Sequence, residues 1–171
     1  LQKPLLQRGV AQNLTLFGER PPVAPDLLAV GGPDASRALI RFPFPAYLRD
    51  SATIIRATLE LIPDGEVYGI AGDSTRLDVR TVVADFGAKS VVNPNTIASG
   101  WIYPGSDTSR VEMANLVAQW QSSPQYPTAV RVQGGQEFGS FLAPRYRSTR
   151  ISSASPRLRI TYRLPYGTTG F

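Results

Sequence analysis

Thirteen Asp and Glu carboxylates and 18 Lys and Arg cations carry the charge of this 171-residue chain, and no histidine or cysteine accompanies them. Without imidazole the chain lacks the usual proton shuttle near neutral pH, and without imidazole or thiolate it lacks the common transition-metal ligands and the thiol nucleophile. Carboxylates are what remains for catalysis. A glycoside hydrolase needs two of them facing each other across a cleft, and the acids that cluster are Asp64, Glu66, Asp73 and Asp78. Each has a simpler explanation. Asp64 belongs to the turn Pro63-Asp64-Gly65, while Asp78 and Glu60 occupy outward positions of alternating segments. The chain is therefore expected not to be an enzyme and to need no cofactor. Calcium takes oxygen ligands from irregular loops, so Asp64, Glu66 and Asp73 are the side chains such an ion would use. There is no D-x-D-x-D-G run, and a solvated loop explains the same acids.

Rings are the second source of chemistry. An exposed aromatic face can stack on a sugar, and Tyr68, Trp101, Tyr103 and Tyr126 all lie near loops. Trp101 and Tyr103 share a face if their segment is a strand, which makes them the preferred sugar platform; ordinary packing is the simpler explanation of the same rings. Trp120 differs, because Met113, Leu116, Val117 and Trp120 recur at i, i+3, i+4, i+7 and form one helical stripe facing a core. Arginine dominates the cations, Lys3 and Lys89 being the only lysines, and the net charge is +5. Arg145, Arg147, Arg150, Arg157, Arg159 and Arg163 make the C-terminal third basic. They suit either a solvated outer face or a surface between subunits, where the rigid guanidinium fork pairs well. Their spacing is that of strands and no nucleic-acid motif accompanies them, so no nucleic-acid partner is expected. Asn13-Leu14-Thr15 fits the N-glycosylation acceptor pattern.

The elements that must position these residues are strands. A composition of 42% hydrophobic residues with 15 Gly and 15 Pro suits a turn-rich all-β protein. Residues 10–17, 27–30, 37–44, 54–62, 77–83, 129–133, 138–142 and 157–164 read as strands. Two more short ones are expected around Val91-Val92 and Trp101-Ile102, split by an Asn93-Pro94-Asn95 turn. In 54–62 the residues Ile55, Ala57, Leu59 and Leu61 share a face. In 157–164, Leu158, Ile160, Tyr162 and Leu164 do. Ser109 and Glu112 have the spacing of a capping box for the one short helix. Strands at this spacing with turn signals between them imply an antiparallel β-sandwich or jelly roll. No apolar run approaches the roughly 20 residues that span a bilayer, so no membrane insertion is expected.

Four blocks carry a resemblance: Ala38-Leu39-Ile40-Arg41-Phe42, TIIRATLEL at 53–61, VEMANLVAQW at 111–120 and SPRLRITY at 155–162. In this order and at these separations the chain resembles the secreted DNRLRE domains, related to the disaggregatase-type carbohydrate-binding module family 96, over about residues 27–164. The resemblance implies a secreted, non-catalytic sandwich at the cell surface that binds polysaccharide or builds the cell exterior. It would start the helix near Asn115. The first residue, Leu1, is read with it as the start of a mature, exported form. The chain then divides into an N-terminal leader (1–25), the sandwich (26–164) and a C-terminal tail (165–171). An apolar, alternating leader is what strand addition to a neighbour would use. Leu5, Leu6, Val10, Leu14, Leu16 and Phe17, with Tyr166 and Phe171 of the tail, are the expected assembly residues. Pairing of 10–17 within its own sandwich is the competing arrangement. The leading expectation is a self-assembling extracellular filament or surface-layer subunit whose partners are copies of itself. The alternative is a secreted carbohydrate-binding module using Trp101, Tyr103, Tyr68 and Tyr126.

Overall fold

The computed structural model describes residues 23–32, 35–67, 74–135 and 142–165. Within them the fold is all-β and antiparallel, as expected, with one helix of more than two turns. The strands are β1 (Leu27–Ala29), β2 (Arg37–Arg41), β3 (Thr53–Leu61), β4 (Thr75–Ala84), β5 (Val91–Ile102), β6 (Ser109–Glu112), β7 (Ala129–Gly134), β8 (Arg145–Arg147) and β9 (Arg157–Arg163). The helices are α1 (Ala46–Asp50) and α2 (Ala114–Ser122). A four-stranded sheet in the order β2-β7-β4-β5 faces a three-stranded sheet in the order β6-β3-β9, and β1 pairs with β8 in a small third sheet.

Alternation puts one side of each strand into the space between the two larger sheets. Ile40 of β2, Ala57, Leu59 and Leu61 of β3, Leu77 and Val79 of β4, and Val130 and Val132 of β7 are buried there. Helix α2 brings Leu116, Val117 and Trp120 to the same core, with Met113 just before it. Phe44 packs edge-on against Trp120 at 5.6 Å, and Phe42 lies 6.3 Å from it. Gln121 Nε2 donates to the carbonyls of Leu48 (2.6 Å) and Ala52 (2.8 Å), which ties α2 to α1.

The two layers meet closely along β5 and β6. A Cβ on Gly100 would stand 2.4 Å from the Arg110 carbonyl oxygen, so only glycine permits this approach. At one end of the sandwich Tyr146 is fully buried and shares a 2.8 Å hydrogen bond with Ser109 Oγ. Burial pushes its phenol up to about 12, against a smaller downward pull from Ser109. Unfolded, the ring ionises near 10, so between those values the unfolded chain has lost a proton that the folded chain keeps, and stability falls as pH rises. Urea titrations from pH 9 to 12 should show a loss on the order of 2–3 kcal/mol from this residue. Tyr146→Phe should be free of that alkaline loss, yet less stable at pH 7 by about 1–3 kcal/mol, because the buried Ser109 hydroxyl loses its partner.

Several expectations are corrected. Ser109 and Glu112 do not form a capping box; they lie in β6, opposite Leu61 and Thr58 of β3, and the helix begins at Ala114. Their side chains are engaged elsewhere, Ser109 with Tyr146 and Glu112 with the Ala57 amide and Thr58 hydroxyl. The two short strands around Asn93-Pro94-Asn95 are one strand, β5, whose register slips between Arg80 and Val82 of β4. As an edge strand of its sheet, β5 tolerates a proline without an N–H, and the Pro94 carbonyl accepts from Arg80 Nη1 at 2.7 Å. Ile55 faces outward, 62% exposed, while Ile54 packs on the core. A bulge between Ile54 and Arg56 inserts one residue against β9 and reverses the parity there. Asp78 is buried instead of outward: Ser99 Oγ donates to it at 2.7 Å, and Arg76 clamps it with bonds of 2.8 and 3.0 Å. In β9, Leu158 and Ile160 are only half-buried and Tyr162 is exposed, as is Leu164 just beyond the strand. Of the strand expected at 138–142, only Leu142 is described, buried and outside any strand; residues 10–17 lie outside the described residues.

Candidate assembly groove and aromatic face

The unequal strand count decides where the sandwich is open. β3 is paired on both sides, by β6 and β9, whereas β9 has a ladder partner on one side only among the described residues. Along its other edge runs a groove of about 540 Å³ between β9 and the segment from Phe42 to Leu48. Phe42, Pro43, Leu48, Leu158 and Ile160 line it, and Tyr47 and Tyr162 meet across one end with ring centroids 5.8 Å apart. A hydrogen bond with Tyr162, then that neighbour's charge, holds the Tyr47 phenol above its ordinary value. Both rings remain accessible, at 49% and 38% exposure. The walls are mostly apolar, with Arg157 and Arg159 at the rim, and the backbone beside them offers N–H and C=O groups at strand spacing. Such an edge is a template for another strand.

The groove wall from α1 was not foreseen in the sequence. The available signal was Phe42-Pro43-Phe44-Pro45 followed by Ala46-Tyr47-Leu48, in which Pro45 ends extended structure and begins the helical turn. Trp120 lies behind this wall, in contact with Phe42 and Phe44.

The outer face of the three-stranded sheet is charged, and its two carboxylates are paired with arginines. Glu60 accepts from Arg159 at 3.0 Å and from Arg110 at 3.5 Å. Glu112 accepts from Arg56 at 2.9 Å. Burial raises the Glu112 carboxyl, but its bonds from Arg56, the Ala57 amide and Thr58 outweigh that and hold it below its ordinary value. At the edge of the larger sheet, Arg41 pairs in bidentate fashion with Asp85 at 2.6 and 2.8 Å. That bond first, and the Gly87 amide next, depress the Asp85 carboxyl well below the carboxylate range. Of the basic C-terminal residues, Arg147 pairs with Asp64 at 3.3 Å and Arg157 donates to the Ser153 carbonyl at 3.2 Å. These guanidinium groups serve intramolecular pairing.

Trp101 and Tyr103 are exposed at 57% and 54%, so this pair is accessible. Trp101 lies directly opposite Arg76, whose guanidinium the buried Asp78 fixes. Tyr126 is half-buried and Tyr68 lies outside the described residues. Asp64 and Glu66 are exposed beside a depression of about 340 Å³ bordered by Gly65 and Arg145, and Asp64 is engaged by Arg147. Asp73 lies outside the described residues, among which no group of three or more metal-ligating side chains converges. The assembly residues Leu5, Leu6, Val10, Leu14, Leu16, Phe17, Tyr166 and Phe171, and Asn13, likewise lie outside them. No helix among the described residues is long and apolar enough to cross a membrane. Compared with known proteins, the chain matches no family model, and no curated protein matches it.

Proposed function

We propose that this chain is a non-enzymatic structural subunit of the cell exterior that polymerises with copies of itself by strand exchange. The observation that carries the reading is the β9 edge, whose second side has no strand among the described residues and opens onto an apolar groove. A sandwich whose described residues put four strands on one layer and three on the other gains a ladder and buried apolar area when a strand enters that groove. The resemblance to DNRLRE domains supports a secreted setting. Negative-stain microscopy of the full chain and of a chain lacking residues 1–18 tests it. The full chain is expected to form fibres or sheets, and the shortened one to remain dispersed with the same cooperative unfolding. Fibres from the shortened chain, or dispersed monomers from the full chain at high concentration, would refute strand exchange by the leader.

The exposed pair Trp101 and Tyr103 favours a second reading, a carbohydrate-binding module. Its rings would stack on a sugar while Arg76, held by Asp78, donates to a hydroxyl. Pull-down on insoluble polysaccharides separates the readings, because Trp101→Ala abolishes glycan retention only under the second.

A further inference from the structure

We infer that the groove beside β9 is filled by residues 10–17 of a neighbouring copy, running antiparallel to β9, with Leu14 opposite Ile160 and Leu16 opposite Leu158. The inference rests on the strand-exchange reading and gives it a donor, a polarity and a register. Three observations lead to it. First, the length fits: eight residues extend about 26 Å, and the seven of β9 extend about 23 Å. Second, the parity fits. Leu158, Ile160 and Tyr162 form the inward face of β9 along the groove, whose rim also takes in Arg157 and Arg159, and Val10, Leu14 and Leu16 are the large aliphatic residues of one face of the leader, with Gln12 their one polar member.

Third, the register that places Leu14 and Leu16 against Ile160 and Leu158 brings Gln12 opposite Tyr162. The rings of Tyr162 and Tyr47 meet at that end of the groove, and their hydroxyls are partners of the kind a buried amide needs. Val10 then falls opposite Leu164, which is 43% exposed and gains cover. On the outer face Ala11, Asn13, Thr15 and Phe17 meet Arg163, Thr161, Arg159 and Arg157. The donor face adds no charge to that row of arginines, and the Phe17 ring lies where the Arg157 guanidinium can cover it. A shift by one residue would turn the aliphatic face away, and a parallel strand with Leu14 opposite Ile160 would strand Gln12 against Leu158. Pro21-Pro22, between Phe17 and Val23, is a sequence that favours an extended, semi-rigid spacer, which suits delivery of the donor to a neighbouring copy.

Cysteine pairing in the full chain tests this directly, since the natural sequence contains none. Asn13→Cys with Thr161→Cys places two thiols opposite each other on the outer face, away from the core. Mild oxidation should give a ladder of disulfide-linked multimers on a non-reducing gel. Asn13→Cys with Arg157→Cys, four residues out of register, should give at least tenfold less. A disulfide-closed monomer from the first pair would overturn the inference, because the leader then fills its own groove. Equal ladders from both pairs would overturn the register. Fibres by microscopy without a ladder would overturn the joint and leave the strand-exchange reading standing; neither fibres nor ladder would remove both. Leu16→Asp provides a second variant: fibre yield should fall at least tenfold with the thermal midpoint of the body unchanged, and undiminished fibres would contradict the inference.

Discussion

Trp120→Ala is expected to lower the unfolding free energy by about 3–5 kcal/mol. The ring is 1% exposed and fills the space between helix α2, the core of the sandwich, and Phe42 and Phe44. Truncation removes its transfer energy and leaves a cavity that two aromatic neighbours, both anchored next to prolines, cannot collapse into. Trp120→Phe separates bulk from polarity. Trp120 Nε1 is buried with no hydrogen-bond partner among the described residues, so phenylalanine loses volume but also removes an unsatisfied donor. Its expected cost is under half that of alanine. Chemical denaturation monitored by circular dichroism checks both, and equal losses for the two variants would contradict this account of the site. Because Phe42 also lines the β9 groove, the alanine variant should reduce assembly as well, even below its melting temperature.

Leu59→Ala is expected to cost about 2–5 kcal/mol, and Leu158→Ala less than half as much. The two residues are direct cross-strand partners, so the comparison isolates burial from position. Leu59 is completely buried in the central strand of its sheet, between β6 and β9. Leu158 is half-buried at the edge strand and faces the groove, where truncation leaves solvent and no closed cavity. In polymerised material the order should narrow, since a strand lying in the groove buries Leu158. Denaturation of monomer and of polymer measures this difference, and an unchanged gap would place the subunit joint elsewhere.

Alternation along the chain was enough to identify β3 and the inward set Ala57, Leu59 and Leu61. The helical spacing was enough to bring Leu116, Val117 and Trp120 to one buried stripe. Both are local periodicities, set by the two-residue pleat and the 3.6-residue turn, and they hold wherever the segment is placed. The absence of histidine and cysteine likewise limited the chemistry without reference to any fold. What depends on partners was not readable in this way. The bulge that turns Ile55 out, the burial of Asp78 between Arg76 and Ser99, and the conversion of Ser109 and Glu112 from helix cap to strand each arise from a neighbouring strand. The groove is the clearest case. The sequence marks Leu158, Ile160 and Tyr162 as an inward face, as in any strand, yet they are incompletely covered because, among the described residues, three strands oppose four. Coverage of an edge is a property of how many strands each layer receives and which of them pair, and that is decided only by long-range pairing in the tertiary structure.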